Sequence, residues 1–186
     1  RSDPEIALLG FAGAPWTVAS YLAEGKSGRK FEAIRTWMHR DPVELTAALS
    51  SLADATVDYL KAQVRGGAQM VQLFDTWLSE MPRAYFTQYY LPVLNGIVRR
   101  LREDKIPVIF YSRHAHHLLD DLAGLEVDVL STDELLPLRE VEKRTHSLRP
   151  LLPRREAGGR IELCFPGGVP EEPRPVMRPA RRSNGG

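Results

Sequence analysis

Short apolar runs alternate with amphipathic, helix-length segments along the first 145 residues, and no hairpin signal joins one run to the next. Parallel strands need crossovers, so this alternation restricts the chain to an α/β fold. The runs are Ile6–Phe11, Gln69–Phe74, Pro107–Tyr111 and Val127–Ser131. Ile6–Phe11 is apolar throughout, as a strand buried on both faces would be. Asp41-Pro42-Val43-Glu44 reads as a helix start, with Asp as N-cap, Pro at the first helical position and Glu at the third. Leu45, Leu49, Leu52, Val57, Leu60 and Val64 then mark one helical face, and Gly66-Gly67 supply the stop. Further helices are expected from about Ala84 to Arg102, around His117–Ala123 and over Glu134–Lys143. About four βα units fit half of an eight-stranded βα barrel or one side of a doubly wound sheet. No G-x-G-x-x-G follows any run, which argues against a dinucleotide-binding unit.

Polar and aromatic residues cluster after successive runs: Trp16 and Tyr21, then Asp75 and Thr76, then Ser112 and Arg113, then Asp133. In a barrel all four clusters face one mouth, the position where such folds carry catalytic residues. The first cluster belongs to the stretch Gly10–Tyr21, where small residues allow a tight turn and Pro15 fixes φ. On local physics it is either a ligand loop or a βα turn whose aromatics pack as core. The Thr76 hydroxyl could hydrogen-bond a ligand carboxylate or ring N–H, or Asp75 and Thr76 could simply cap the next helix. The Tyr21 phenol could donate to an anionic group or only pack. Arg113 could fork onto a substrate carboxylate, or pair with Asp133 or Asp75. His114, His116 and His117 form a tempting metal cluster, yet no cysteine or second histidine group before residue 145 completes a tetrahedral site. Asp120 and Asp121 read equally well as a solvated helix face, so no metal is expected.

Composition narrows the partners. Hydrophobic residues are 43% of 186, too many for a disordered chain, and the net charge of +1 gives no global field for nucleic acid or an anionic membrane. No run of about 18 apolar residues would span a bilayer. Arg1-Ser2-Asp3-Pro4-Glu5 does not resemble a signal peptide, and the lone Cys164 fits a reducing compartment, so a cytoplasmic location is expected.

The average conceals a seam. Residues 1–145 carry the βα pattern, whereas 146–186 hold seven of the 14 prolines, six glycines and eight arginines with no lysine. Eight basic against four acidic residues give this tail +4, which leaves −3 for the rest of a chain whose total is +1. Neither helical nor strand periodicity survives there, and the expectation is disorder. A basic arm for nucleic acid is the rival reading, but aromatic interleaving and a dense basic block are both lacking. Such a composition also arises when GC-rich DNA is read out of frame, which is the origin expected here.

Two motifs carry a family resemblance. G-F-A-G-A-P-W-T-x-x-x-Y-x-x-E-G at Gly10–Gly25 and A-x-V-x-x-G-A-Q-x-V-Q-L-F-D-T-W at Ala62–Trp77 resemble uroporphyrinogen decarboxylases. Leu91-Pro92, Pro107–Phe110 and Val127–Asp133 follow in the family's order, so the resemblance covers about residues 5–145. It implies a (β/α)8 barrel of TIM type, here about four βα units, in a cytoplasmic homodimer of porphyrin and heme synthesis. The implied reaction is cofactor-free removal of four acetate carboxylates from uroporphyrinogen III to give coproporphyrinogen III. Protonation of a pyrrole α-carbon creates the electron sink for departing CO₂. By motif position Tyr21 corresponds to a substrate-contacting tyrosine, Thr76 to a hydroxyl-bearing Ser/Thr and Phe11 to a pocket phenylalanine. No position corresponds to the family's arginine-rich segment, its pyrrole-gripping aspartate, its carboxyl-terminal histidine or its G-N-L-D-P element. Arg113-His114 also stands where a lysine-glycine pair is common. The expectation is therefore a decarboxylase-family chain that is inactive as it stands. A zinc- or corrinoid-linked methyltransferase of the same fold is the alternative within the fold, and a non-catalytic, nucleic-acid-binding fragment the alternative outside it.

Overall fold

The computed structural model describes residues 7–25, 31–133, 135, 138–144, 153–155 and 161–163. In chain order the elements are β1 (Leu9–Gly13), α1 (Pro15–Glu24), α2 (Glu32–Arg40), α3 (Pro42–Arg65) and β2 (Met70–Asp75). A 3₁₀ turn (Leu78–Glu80) leads to α4 (Arg83–Tyr85), which runs through a π-turn (Phe86–Tyr90) into α5 (Leu91–Glu103). β3 (Val108–Ser112), a 3₁₀ turn (His116–Leu118), α6 (Leu119–Leu122), β4 (Val129–Ser131) and α7 (Leu138–Arg144) follow. The chain divides into two units, residues 1–151 and 152–186. In the second, Pro153–Arg155 and Ile161–Leu163 (β5 and β6) pair antiparallel, an element that strand periodicity did not signal. The rest of the basic tail, with Cys164, lies outside the described residues.

The four strands of the first unit form one parallel sheet in the order β1-β2-β3-β4. A doubly wound sheet reverses direction at a switch point, and this sheet does not, so every crossover advances the same way, as in a βα barrel. One face takes the helices. Ala12, Val71, Leu73, Val108 and Phe110 join Leu45, Leu49 and Leu60 of α3 and Leu94, Ile97 and Val98 of α5 in the main core. On the opposite face two cross-strand rows stand in register: Phe11–Gln72–Ile109–Val129, and nearer the carboxyl ends Gly13–Phe74–Tyr111–Ser131. Met70, Ile109 and Val129 form a small cluster of their own there, while Leu9 and Phe11 are 40% and 62% exposed. In a closed barrel this face is the lumen.

Local chemistry explains the element ends. Asp41 caps α3 as its sequence suggested, accepting from the Glu44 N–H at 2.8 Å, with Pro42 opening the helix. Gly67 ends the following turn at φ 111°, which only glycine adopts without strain. Pro92 has no N–H to offer the Gln88 carbonyl, and its ring crowds that oxygen. The chain therefore widens for one turn, with the Leu91 N–H reaching the carbonyl of Phe86 five residues back. The strands start one to three residues later than the apolar runs suggested, since β1 spans Leu9–Gly13 and β4 only Val129–Ser131. α2 was not expected, although Ile34 and Met38 on it are both buried.

Candidate active site

The carboxyl ends of the strands gather the polar side chains, and the more deeply buried of the two carboxylates there is Asp75. It ends β2 in the helix-facing phase and is fully buried. Its Oδ1 accepts from Thr17 Oγ1 at 2.8 Å and its Oδ2 from the Tyr90 phenol at 2.7 Å. Burial pushes the carboxyl up from 3.8 to about 6, against the opposing pull of the Tyr90 and Thr17 hydrogen bonds. Tyr90, also fully buried, has its phenol raised well above the ordinary value, by burial first and then by the adjoining carboxylate.

Both hydroxyls work in two directions. Ala14 stands at the N-cap of α1 and has no side-chain oxygen, so the Trp16 N–H donates to Tyr90 Oη at 3.1 Å instead. Thr17 Oγ1 accepts the Trp77 N–H at 3.3 Å, and Trp16 Nε1 donates to the Trp77 carbonyl at 2.9 Å. The first turn of α1 is thereby bound to residues 75–77.

Around this network lie the residues singled out from the sequence. Tyr21 is 42% exposed, its ring meets Trp77 edge-on at 6.3 Å, and its hydroxyl makes no hydrogen bond among the described residues. Thr76 is half-buried just beyond β2, and its hydroxyl is likewise without a partner among them. Phe11 lies on the lumen face with its ring edge-on to Phe74 at 6.1 Å, and Phe74 in turn meets Tyr111 at 5.6 Å. Tyr21 and Phe11 thus both rest on the stretch 74–77. Trp77 packs on Phe31 at 4.9 Å, and its buried Nε1 has no hydrogen-bond partner among the described residues.

Asp133 organises the second cluster. Its carboxylate accepts the N–H of His114, the N–H of Leu135 at 3.0 Å and His116 Nε2 at 3.1 Å. Burial alone would raise this carboxyl; the N–H donors and the His116 ring outweigh it and hold it below the usual range. His114 adopts φ 54° in the turn. His117 points elsewhere, donating from Nε2 to the Met81 carbonyl at 3.0 Å. Among the described residues no group of three or more His, Cys, Asp or Glu side chains converges as metal ligands would. Asp121 holds Arg83 through two hydrogen bonds of 2.6 and 3.0 Å, and Asp120 holds Arg144 at 2.9 Å. Arg113 is exposed and takes neither Asp75 nor Asp133 as a partner. No helix among the described residues is long and apolar enough to cross a membrane.

Sequence reasoning singled out Asp75 but not its partners. Thr17 and Tyr90 lie 58 and 15 residues from it, and no periodicity links positions that far apart in chain and element.

A parallel sheet that never reverses its strand order, with polar side chains collected at the carboxyl ends, defines the βα-barrel class of enzyme scaffold. The profile described as uroporphyrinogen decarboxylase matches residues 1–152. Similar proteins include the uroporphyrinogen decarboxylases of Geobacillus sp. (35% identical over 139 residues), Salinibacter ruber (37% over 133) and Schizosaccharomyces pombe (35% over 140). The matches cover 75%, 70% and 72% of this chain and 40%, 38% and 39% of the respective relatives. The chain belongs to the uroporphyrinogen decarboxylase family. It spans about 40% of the length of the curated relatives it matches. Among solved structures, a methyltransferase from Methanosarcina mazei superposes with a TM-score of 0.68 over 78% of this chain and 42% of its own, at 21% identity, a likeness of fold alone.

Proposed function

We propose that this chain supplies one wall of the tetrapyrrole site of a uroporphyrinogen decarboxylase, with Tyr21, Thr76 and Phe11 as its substrate-contacting residues. The observation that carries the reading is the pairing of two hydroxyls without a partner among the described residues, on Tyr21 and Thr76, with an aromatic lumen face of Phe11, Phe74 and Tyr111. A tetrapyrrole offers the complementary chemistry. Its pyrrole faces stack on aromatic rings, while its carboxylates and ring N–H groups take hydroxyl partners.

The reaction proposed is removal of four acetate carboxylates from uroporphyrinogen III, giving coproporphyrinogen III in porphyrin and heme synthesis. Each cycle protonates a pyrrole α-carbon and passes the bonding electrons of the departing CO₂ into the resulting electron sink. A proton then adds to the methylene left behind and the α-carbon releases the first proton, so that one proton replaces one CO₂. No cofactor is needed for this sequence. Tyr21 and Thr76 orient the carboxylates at the mouth, and Phe11 holds a pyrrole face in the lumen. A general acid is not assigned to any residue here. A cytoplasmic homodimer is the proposed setting.

The 186-residue chain by itself is expected not to turn over uroporphyrinogen, because no residue here is assigned to grip the pyrrole nitrogens. Its exposed apolar sheet face also favours association. The test is titration with uroporphyrin, the stable oxidised analogue, followed by quenching of tryptophan fluorescence. Saturable quenching that weakens in Tyr21→Phe and Thr76→Val is expected. Quenching indifferent to both substitutions would remove the assignment. Formation of coproporphyrinogen by the purified chain would overturn the expectation of inactivity.

A further inference from the structure

The reading of Tyr21 and Thr76 as ligand contacts leaves open what fixes their relative position, since one lies on α1 and the other beyond β2. Resting on that reading, we propose that Asp75 is a positioning residue that sets the Tyr21–Thr76 separation by binding the first turn of α1 through Thr17 and Tyr90.

The links are hydrogen bonds, chain neighbours and one ring contact. Asp75 immediately precedes Thr76, so the carboxylate and the ligand-facing hydroxyl share one stretch of backbone. Oδ1 holds Thr17, and Tyr21 lies one helical turn further on, at i+4, on the same side of α1. Oδ2 holds Tyr90, which caps the Trp16 N–H. Thr17 and Trp16 also bind the N–H and the carbonyl of Trp77, on whose ring Tyr21 rests. The wide turn before Pro92 lies where the Tyr90 phenol leaves the helix.

The chemistry of the position argues against a packing role. A fully buried carboxylate whose side-chain partners are two neutral hydroxyls is costly to desolvate, and an apolar side chain of similar volume would stabilise the fold better. An acid is needed here if two donors from different elements must be drawn to one point. A carboxylate accepts both, and an amide in its place leaves one hydroxyl proton without an acceptor.

The experiment uses two substitutions at Thr17 that separate hydrogen bonding from packing. Thr17→Val keeps the shape and removes the hydroxyl; Thr17→Ser keeps the hydroxyl and removes a methyl. In the ligand-free chain, the proton–proton nuclear Overhauser contact between the Tyr21 and Trp77 rings reports the position of α1. Uroporphyrin titration reports the consequence for binding. Thr17→Val is expected to lose the ring contact and to bind uroporphyrin about tenfold more weakly, while Thr17→Ser keeps the contact and stays within about twofold of the unsubstituted chain. Asp75→Asn should follow Thr17→Val. Retention of the ring contact in Thr17→Val, or its loss equally in both variants, would overturn the proposal. If the unsubstituted chain binds no uroporphyrin, the ligand reading of Tyr21 and Thr76 fails, and the ring contact still decides whether Asp75 positions α1.

Discussion

The side-chain amide of Gln63 grips the Phe11 peptide group on both sides: Oε1 accepts the Phe11 N–H at 2.8 Å, and Nε2 donates to the Phe11 carbonyl at 2.9 Å. These are the groups that β1 turns away from β2, so an α3 side chain occupies part of the sheet's open edge. The amide fits because Gly10 has no Cβ. A Cβ there would stand 2.9 Å from Gln63 Oε1.

Removing this clamp should loosen the edge. Gln63→Leu is expected to cost about 1–2 kcal/mol, two exposed hydrogen bonds' worth, and to raise concentration-dependent association through the freed strand. Urea denaturation together with light scattering tests both effects. Gly10→Ala should produce the same phenotype by displacing the amide, and the double variant should cost less than the sum of the singles.

Asp75 gives the fold a defined pH dependence. Its carboxyl titrates near 6 when folded and near 3.8 in the reference state, so its raised value favours the folded state fully only below about pH 4. As pH rises through 6, ionisation in the buried site removes that contribution, about 3 kcal/mol for a shift of roughly two units. The stability of the chain minus that of Asp75→Asn is therefore expected to fall as pH goes from 4.5 to 7.5. A difference that stays flat across this interval would contradict the origin given for the shift.

Asp133 has the opposite sign. Its carboxyl is held below the ordinary range, so its contribution is present above about pH 4 and fades as pH drops through the lowered value. Asp133→Asn should cost about 1.5–3 kcal/mol at neutral pH, the loss of at least one hydrogen bond to a charged acceptor. The deficit should narrow on acidification below pH 4. His114 and His116 should lose their fixed chemical environments in the same variant, which proton–nitrogen correlation spectra of the imidazoles would register.

Trp16→Phe isolates the indole. The ring is fully buried and its Nε1 serves the Trp77 carbonyl. Losing that donor and part of the volume is expected to cost about 2–4 kcal/mol in urea denaturation.

The outline of the fold was legible in the sequence because apolar period and turn chemistry agree in most elements. Asp41, Pro42 and Glu44 announce α3 within four residues, and the cap forms as expected. α2 was passed over because Glu32–Arg40 mixes four charged or imidazole side chains among its apolar ones, even though Ile34 and Met38 face the core. Strand ends drifted because apolar runs begin before the ladder does: Leu8 accepts from the Gln69 N–H yet precedes β1. At the site, motif positions singled out Tyr21, Thr76 and Phe11, while the Asp75 network stayed hidden. Thr17 and Tyr90 are ordinary helix residues until the sheet brings them to one carboxylate. The Asp133 cluster was half visible: its members were noted, but an aspartate gathering two backbone N–H groups and an imidazole has no spacing rule.

α1 begins at a residue that cannot cap it, and the missing acceptor comes from Tyr90, 74 positions beyond the Trp16 N–H that it serves. Such a helix is conditional. Its first turn cannot hold until β2 and the wide turn ahead of α5 have already docked, so α1 should be among the last elements to consolidate during folding. Substitutions in its first turn would then accelerate unfolding while leaving the folding rate nearly untouched.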